Sequence, residues 1–125
     1  MDLGEAIDIK VRIEHIVKIL GIEYIDTDRI FCFRSNKSKA NARARIWSMP
    51  RIWQMALKIK AAYVIEVLSE KFDHLPYDNQ TKVLIHELLH IPKTFSGALR
   101  PHRGRYVNVD HRAVEKLYKE FKKLV

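Results

Sequence analysis

Apolar residues near the start of the chain recur at helical spacing. Ala6, Ile9, Ile13, Ile16, Val17 and Leu20 fall mostly three or four positions apart, which predicts an amphipathic helix over residues 5–20. Gly21 follows where a left-handed cap is expected, and Asp8, Arg12 and Lys18 mark the polar side. The pattern then changes. Arg29–Arg34 is rich in β-branched and aromatic residues and predicts a strand, Ser35–Lys39 has loop composition, and Ala42–Trp47 predicts a returning strand. Ser48 is placed to cap a short helix that carries Pro50 in its first turn and runs to about Lys58. Tyr63–Leu68 predicts a third strand, apolar on both faces except for Glu66.

Pro76 closes a turn, and Asp78 or Asn79 can cap a helix over roughly Gln80–Ile91, which Pro92 ends because it cannot donate to a continuing ladder. A loop holding Gly97, Pro101 and Gly104 leads to an extended piece near Tyr106–Asn108. A last helix is predicted from about Asp110 to Lys123, with Val114, Leu117, Tyr118 and Phe121 as its apolar stripe. Strands and helices are partly segregated along the chain, which favours an α+β fold over a doubly wound sheet.

At 125 residues the chain suits one compact domain, residues 1–125. No apolar stretch is long enough to cross a bilayer, and the acidic start Met1-Asp2-Leu3-Gly4-Glu5 is unlike a signal peptide, so a cytoplasmic protein with no membrane partner is expected. The one cysteine, Cys32, excludes an internal disulfide framework and a cysteine-based zinc finger. An excess of Lys and Arg gives a net charge of +8, which raises nucleic acid as a partner only if the charges gather on one face.

The chemistry lies in His86-Glu87-Leu88-Leu89-His90. Two histidines four apart on a helix project from the same side one turn apart, so both imidazoles reach one ion. With the chain's six His and eight Glu, chance produces this pattern in roughly 2% of such sequences. One Zn²⁺ ion is the expected cofactor, although imidazole sites also accept Fe²⁺, Co²⁺ or Mn²⁺. Glu87 can then stand beside a water as general base, taking its proton as it attacks a peptide carbonyl. A third ligand must come from downstream. His102 is favoured because Gly97 lets the chain turn back and Pro101 stiffens the approach, with His111 and Glu115 as alternatives. Glu115 could instead orient a ligand imidazole. Tyr106, with Arg103 and Arg105, could supply a donor to the tetrahedral oxyanion. Tyr63–Leu68 either forms an edge that binds an extended peptide by strand addition or serves as sheet core.

The run Val83–Pro92, continuing through Phe95–His102, resembles the zincin-like, HExxH metallopeptidase family of archaeal and phage type. Ala62–Val67 and Phe72–Leu75 resemble the strand and connection that precede that family's metal helix. The likeness covers about residues 60–121, and the first sixty match only loosely. It implies a minimal zincin-like α+β domain, a small mixed or antiparallel sheet packed with helices. It further implies His86, His90 and His102 as zinc ligands, Glu87 as general base, and a peptide or protein as substrate. Lys93 and Ser96 stand where metzincins require Gly and His, so that clan is excluded.

The rival from another class is a basic, nucleic-acid-associated domain with a structural or non-catalytic metal site. Arg34, Lys37, Lys39, Arg43 and Arg45, flanked by Trp47 and Trp53, could form its surface. The plainer reading of the same stretch is a solvated loop with both tryptophans in the core. An inactive relative serving as a toxin partner or regulatory subunit is a third possibility, against which stands the presence of Glu87.

Overall fold

The structure, a computed structural model, describes residues 2–102 and 110–125. Its first element, strand β1 (Asp2–Glu5), is missed by the hydrophobic pattern because all four residues are exposed. Its register against the second strand, Asp2 to Asn36 through Glu5 to Phe33, places it instead. Helix α1 (Ile7–Leu20) therefore begins later than residue 5 and buries Ile9, Ile13, Ile16 and Val17. Gly21 ends it at φ 64°, its N–H reaching the carbonyls of Val17 and Lys18, as a left-handed cap should.

Strand β2 (Ile30–Asn36) runs into the predicted loop. Ser35 and Asn36 are polar, yet both pair with β1, and the Ser35 hydroxyl donates to Glu66 at 2.6 Å. Strand β3 (Ala44–Trp47) leads into helix α2 (Arg51–Leu57). Pro50, not Ser48, is the residue that flanks the helix start, and no side chain caps it. Strand β4 (Tyr63–Leu68) passes into a single-turn helix α3 (Ser69–Phe72), too short to leave a periodic signal. Helix α4 (Tyr77–Leu89) starts directly after Pro76, three residues before the predicted Gln80 and without an Asp78 or Asn79 cap. Helix α5 (His111–Leu124) is capped by Asp110, whose carboxylate accepts the Ala113 N–H at 2.9 Å.

The sheet is mixed, in the order β1-β2-β4-β3. β4 pairs in parallel with β2 and antiparallel with β3, so Tyr63–Leu68 is an interior strand and not an edge. Among the described residues the sheet's outer strands are β1 and β3. Alternation along β4 directs Tyr63, Ile65 and Val67 to one face, where they join Ile30 and Cys32 of β2. Helices α1, α4 and α5 cover that face with Ile9, Ile13, Ile16, Leu84, Ile85, Leu88, Val114 and Phe121, forming the α+β core expected from the segregated pattern.

The opposite face is partly open. Val64 lies between Phe31 and Trp47 in the register, and those two rings are half exposed. Next to them Glu66 is buried, its carboxylate accepting from Arg45 at 2.9 Å, Trp47 Nε1 at 2.9 Å and Ser35 at 2.6 Å. Burial pushes the Glu66 carboxyl up, but the bonds from Arg45, Ser35 and Trp47 outweigh this and hold it below its ordinary value. A depressed folded-state pKa contributes stability that is present above the unfolded value of about 4.3 and lost as pH falls through the folded value. Glu66→Gln should therefore cost about 1–2 kcal/mol at neutral pH, with the gap to wild type narrowing below about pH 4. Urea unfolding across that range measures it; a gap independent of pH would exclude the charged network.

Candidate metal centre

Helix α4 is fixed at both ends. At its start the Arg12 guanidinium donates to Gln80 Oε1 at 2.7 Å and Thr81 Oγ1 at 2.8 Å and stacks over Tyr77, anchoring α4 to α1. Along its length Leu84, Ile85 and Leu88 face the core. At its end His90 closes the helix, Ile91 is fully buried, and Pro92 prevents continuation. His86 lies in the last turn and His90 at the cap, so the two rings meet edge-to-face with centroids 5.1 Å apart.

The chain after Pro92 must reverse to return to those rings. It does so through two positive backbone angles, φ 47° at Phe95 and φ 93° at Gly97. The buried Tyr63 hydroxyl holds the turn, accepting the Gly97 N–H at 2.8 Å and donating to the Ala98 carbonyl at 2.8 Å. From outside, Met49 N–H donates to the Gly97 carbonyl at 2.8 Å, and the Gln54 amide donates to Met49 and Ser96 carbonyls, both at 2.8 Å. Three residues on, Arg100 and His90 grip each other: Arg100 N–H donates to the His90 carbonyl at 2.7 Å, and His90 Nδ1 lies 2.6 Å from the Arg100 carbonyl. Because a carbonyl can only accept, His90 Nδ1 carries the proton and Nε2 is left as a free lone pair.

Two residues later His102 arrives. Its Nε2 is 3.1 Å from His86 Nε2, its ring is 4.4 Å from that of His90, and the candidate ligand atoms of all three histidines lie within 4.8 Å of one another. A tetrahedral ion with nitrogens at about 2.0–2.1 Å spaces its donors about 3.3 Å apart, so the three imidazoles fit a zinc-sized cation. The electrostatics agree. Burial, then neighbouring His90 and His102, bring the His86 imidazole down to about 4, and burial likewise lowers His90, so both are neutral donors at physiological pH. Glu87 is buried, with a carboxylate oxygen 4.0 Å from His86 Nε2; burial alone pushes its pKa up to about 8.

Beside this cluster is an open cleft of about 1000 Å³. It is lined by Asn41–Ala44 at the head of β3, by Lys71 and His74, and by residues of α4 and α5. His111 and Glu115 line the cleft but are not in the histidine cluster, and Glu115 is held by Lys82 at 3.0 Å. Arg103, Arg105 and Tyr106, along with the extended piece near Tyr106–Asn108, lie outside the described residues. Of the basic residues assigned to a nucleic-acid surface, Arg34 is spent on Asp8 at 3.0 Å and Asp73 at 3.2 Å, and Arg45 on Glu66. Both tryptophans, by contrast, are exposed, against the reading that put them in the core: Trp47 is 50% and Trp53 58% accessible.

Reading the sequence missed the residues that position the histidines, namely Tyr63, Gln54 and Arg100. Only Tyr63 left a signal, as a phenol in an otherwise apolar strand must find a partner for its hydroxyl.

A mixed sheet layered on helices, with three imidazoles gathered at a helix end beside a buried carboxylate, defines a small α+β protein with a candidate metal site. A family model described as "Putative phage metallopeptidase" matches residues 1–122, and the chain belongs to that family. The match includes the first sixty residues, beyond the reach of the motif resemblance. No curated protein and no solved structure matches the chain.

Gly97 and Gly21 both have positive φ, but only Gly97 is crowded: an added Cβ would collide with the Met49 carbonyl oxygen, whereas Gly21 faces open space. Gly97→Ala should lower unfolding free energy by about 2–4 kcal/mol and Gly21→Ala by about 1 kcal/mol. Chemical denaturation of the pair isolates the steric part; equal losses would mean the Met49–Gly97 approach is not tight.

Proposed function

We propose that residues 1–125 form a single-domain, zinc-dependent peptidase in which His86, His90 and His102 hold one ion and Glu87 is the general base. The observation that carries this reading is the convergence of three imidazoles beside a buried carboxylate. Membership of the metallopeptidase family supports it.

When bound, zinc supplies the positive charge that polarises a peptide carbonyl and lowers the pKa of water. The chain does the rest. The Arg100 carbonyl keeps His90 in the tautomer whose Nε2 can ligate, a role typical of the groups behind a metal ligand. Glu87, raised by burial in the protein's own field, becomes a carboxylate when a cation stands near it. In that form it takes a proton from the attacking water and passes it to the departing amine. The outer edge of β3, next to the cleft, offers backbone groups to an extended peptide by strand addition, the role an exposed sheet edge fills in peptide recognition.

Glu87→Gln should retain stoichiometric zinc and reduce cleavage of an unstructured casein substrate by about 10²–10⁴-fold. His90→Ala should weaken zinc binding, and chelation should abolish cleavage in wild type, with zinc restoring it. Elemental analysis and a fluorescent casein assay measure both. Equal zinc content in wild type and His90→Ala would overturn the assignment.

A further inference from the structure

Helix α2 is inside out. Ile52, Trp53, Met55 and Leu57 are 56–70% exposed, while the polar Gln54 is the one residue of the helix turned inward, onto the Met49 and Ser96 carbonyls. The exposed apolar surface continues into Ile59, and the half-exposed Trp47 immediately precedes the segment. Scattered apolar residues on a surface need no explanation, but a whole helix facing outward with its apolar side chains does. Among the described residues nothing covers it.

Charge identifies what would. Residues 29–65 contain nine Lys or Arg and no Asp or Glu, leaving 23 − 9 = 14 basic against 15 acidic residues elsewhere. All of the chain's excess positive charge therefore resides in the stretch that presents this helix. Arg51, Lys58 and Lys60 are exposed around it, and none is in an ion pair among the described residues. A second copy packing on the same surface would bring these cations against their own equivalents. A nucleic-acid groove would meet aliphatic side chains where it needs donors. An interface that is apolar a few ångströms down and anionic at its surface matches both features at once, and tryptophan is suited to the boundary between them.

We propose that Trp47–Lys60 docks this protein on the surface of an anionic lipid bilayer, with Ile52, Trp53 and Leu57 entering the headgroup region and Arg51, Lys58 and Lys60 meeting lipid phosphates. Such docking requires no membrane-crossing helix, and no described helix is long and apolar enough to be one. Gln54 and Met49 tie α2 to the Ser96–Gly97 turn that leads to His102, so a docked helix sets the histidine cluster near the lipid surface. The proposal is independent of zinc binding and hydrolysis.

The chain's two tryptophans, Trp47 and Trp53, both lie in this segment, so intrinsic fluorescence of the full chain reports on it. On vesicles of equal parts phosphatidylglycerol and phosphatidylcholine, emission should shift to the blue, brominated acyl chains should quench it, and the protein should co-sediment. Affinity for pure phosphatidylcholine should be on the order of a hundredfold weaker. The double variant Ile52→Ser, Leu57→Ser should keep its circular dichroism spectrum and lose binding by at least about tenfold. Wild-type affinity in that variant, or no quenching by brominated lipid, would overturn the proposal, as would a dimer in solution that the double variant dissolves. Binding to a single-stranded oligonucleotide with none to vesicles would assign the surface to nucleic acid instead.

Discussion

A helix can deliver two imidazoles to one point, but it cannot deliver a third, and the fold is organised around that shortfall. His86 and His90 come together by helical spacing alone. His102 lies twelve residues past His90, on chain that must leave the helix and return to it. Regular secondary structure supplies none of the bonds that hold such a path. The closure depends instead on the reciprocal grip between His90 and Arg100 and on the Tyr63 hydroxyl, which saturates both a donor and an acceptor at the Gly97 turn. These bonds hold the backbone at Gly97, Ala98 and Arg100, from which the chain continues to the third imidazole.

This arrangement explains why β4 must be central. Tyr63 is its first residue, fully buried and paired with Ile30 of β2, and the strand it begins runs between β2 and β3. An edge strand, hydrogen-bonded on one side only, would be a poor anchor for a hydroxyl on which the loop depends. The strand's other conspicuous residue, Glu66, serves the opposite face in a comparable way, gathering Ser35, Arg45 and Trp47 from the two flanking strands. The sheet is thus pinned through its middle, and the outer edge of β3 is left beside the cleft. A carboxylate like Glu66 is cheap to bury because three donors meet it, whereas Glu87 is buried with burial the sole influence on its pKa. That contrast separates a carboxylate satisfied within the sheet from the one beside the histidine cluster.

How much of this was legible follows from the kind of force involved. Long periodic elements announced themselves: α1, α4, α5 and the three apolar strands were all expected, with ends shifted by a few residues. β1 was not, since its four exposed residues carry no hydrophobic signal and only pairing makes it a strand. The extension of β2 through Ser35 and Asn36 escaped for the same reason: a polar pair has loop composition until a neighbouring strand takes up its backbone. At the site, the His86, Glu87 and His90 cluster was visible because its geometry is local, and His102 could be favoured because Gly97 and Pro101 bend and stiffen the chain. The positioning groups could not be read. Arg100 acts through its backbone, which every residue has, and Gln54 acts across 42 positions of sequence.

The same distinction bears on α2. Sequence patterning assigns an amphipathic helix a core-facing side by assuming that apolar residues turn inward, and for α1 and α5 the assumption holds. In α2 it fails, because the inward direction is already committed: the helix lies against the Ser96–Gly97 turn, where Gln54 donates to the Ser96 carbonyl and the Met49 N–H to the Gly97 carbonyl. Polar satisfaction of the loop that carries His102 therefore takes precedence over burial of four large apolar side chains. With Ile52, Trp53, Met55 and Leu57 excluded from the core, no described residue of the chain buries them, and their burial would come from a surface outside it. The demand for an external apolar surface is thus a consequence of how the third histidine is held.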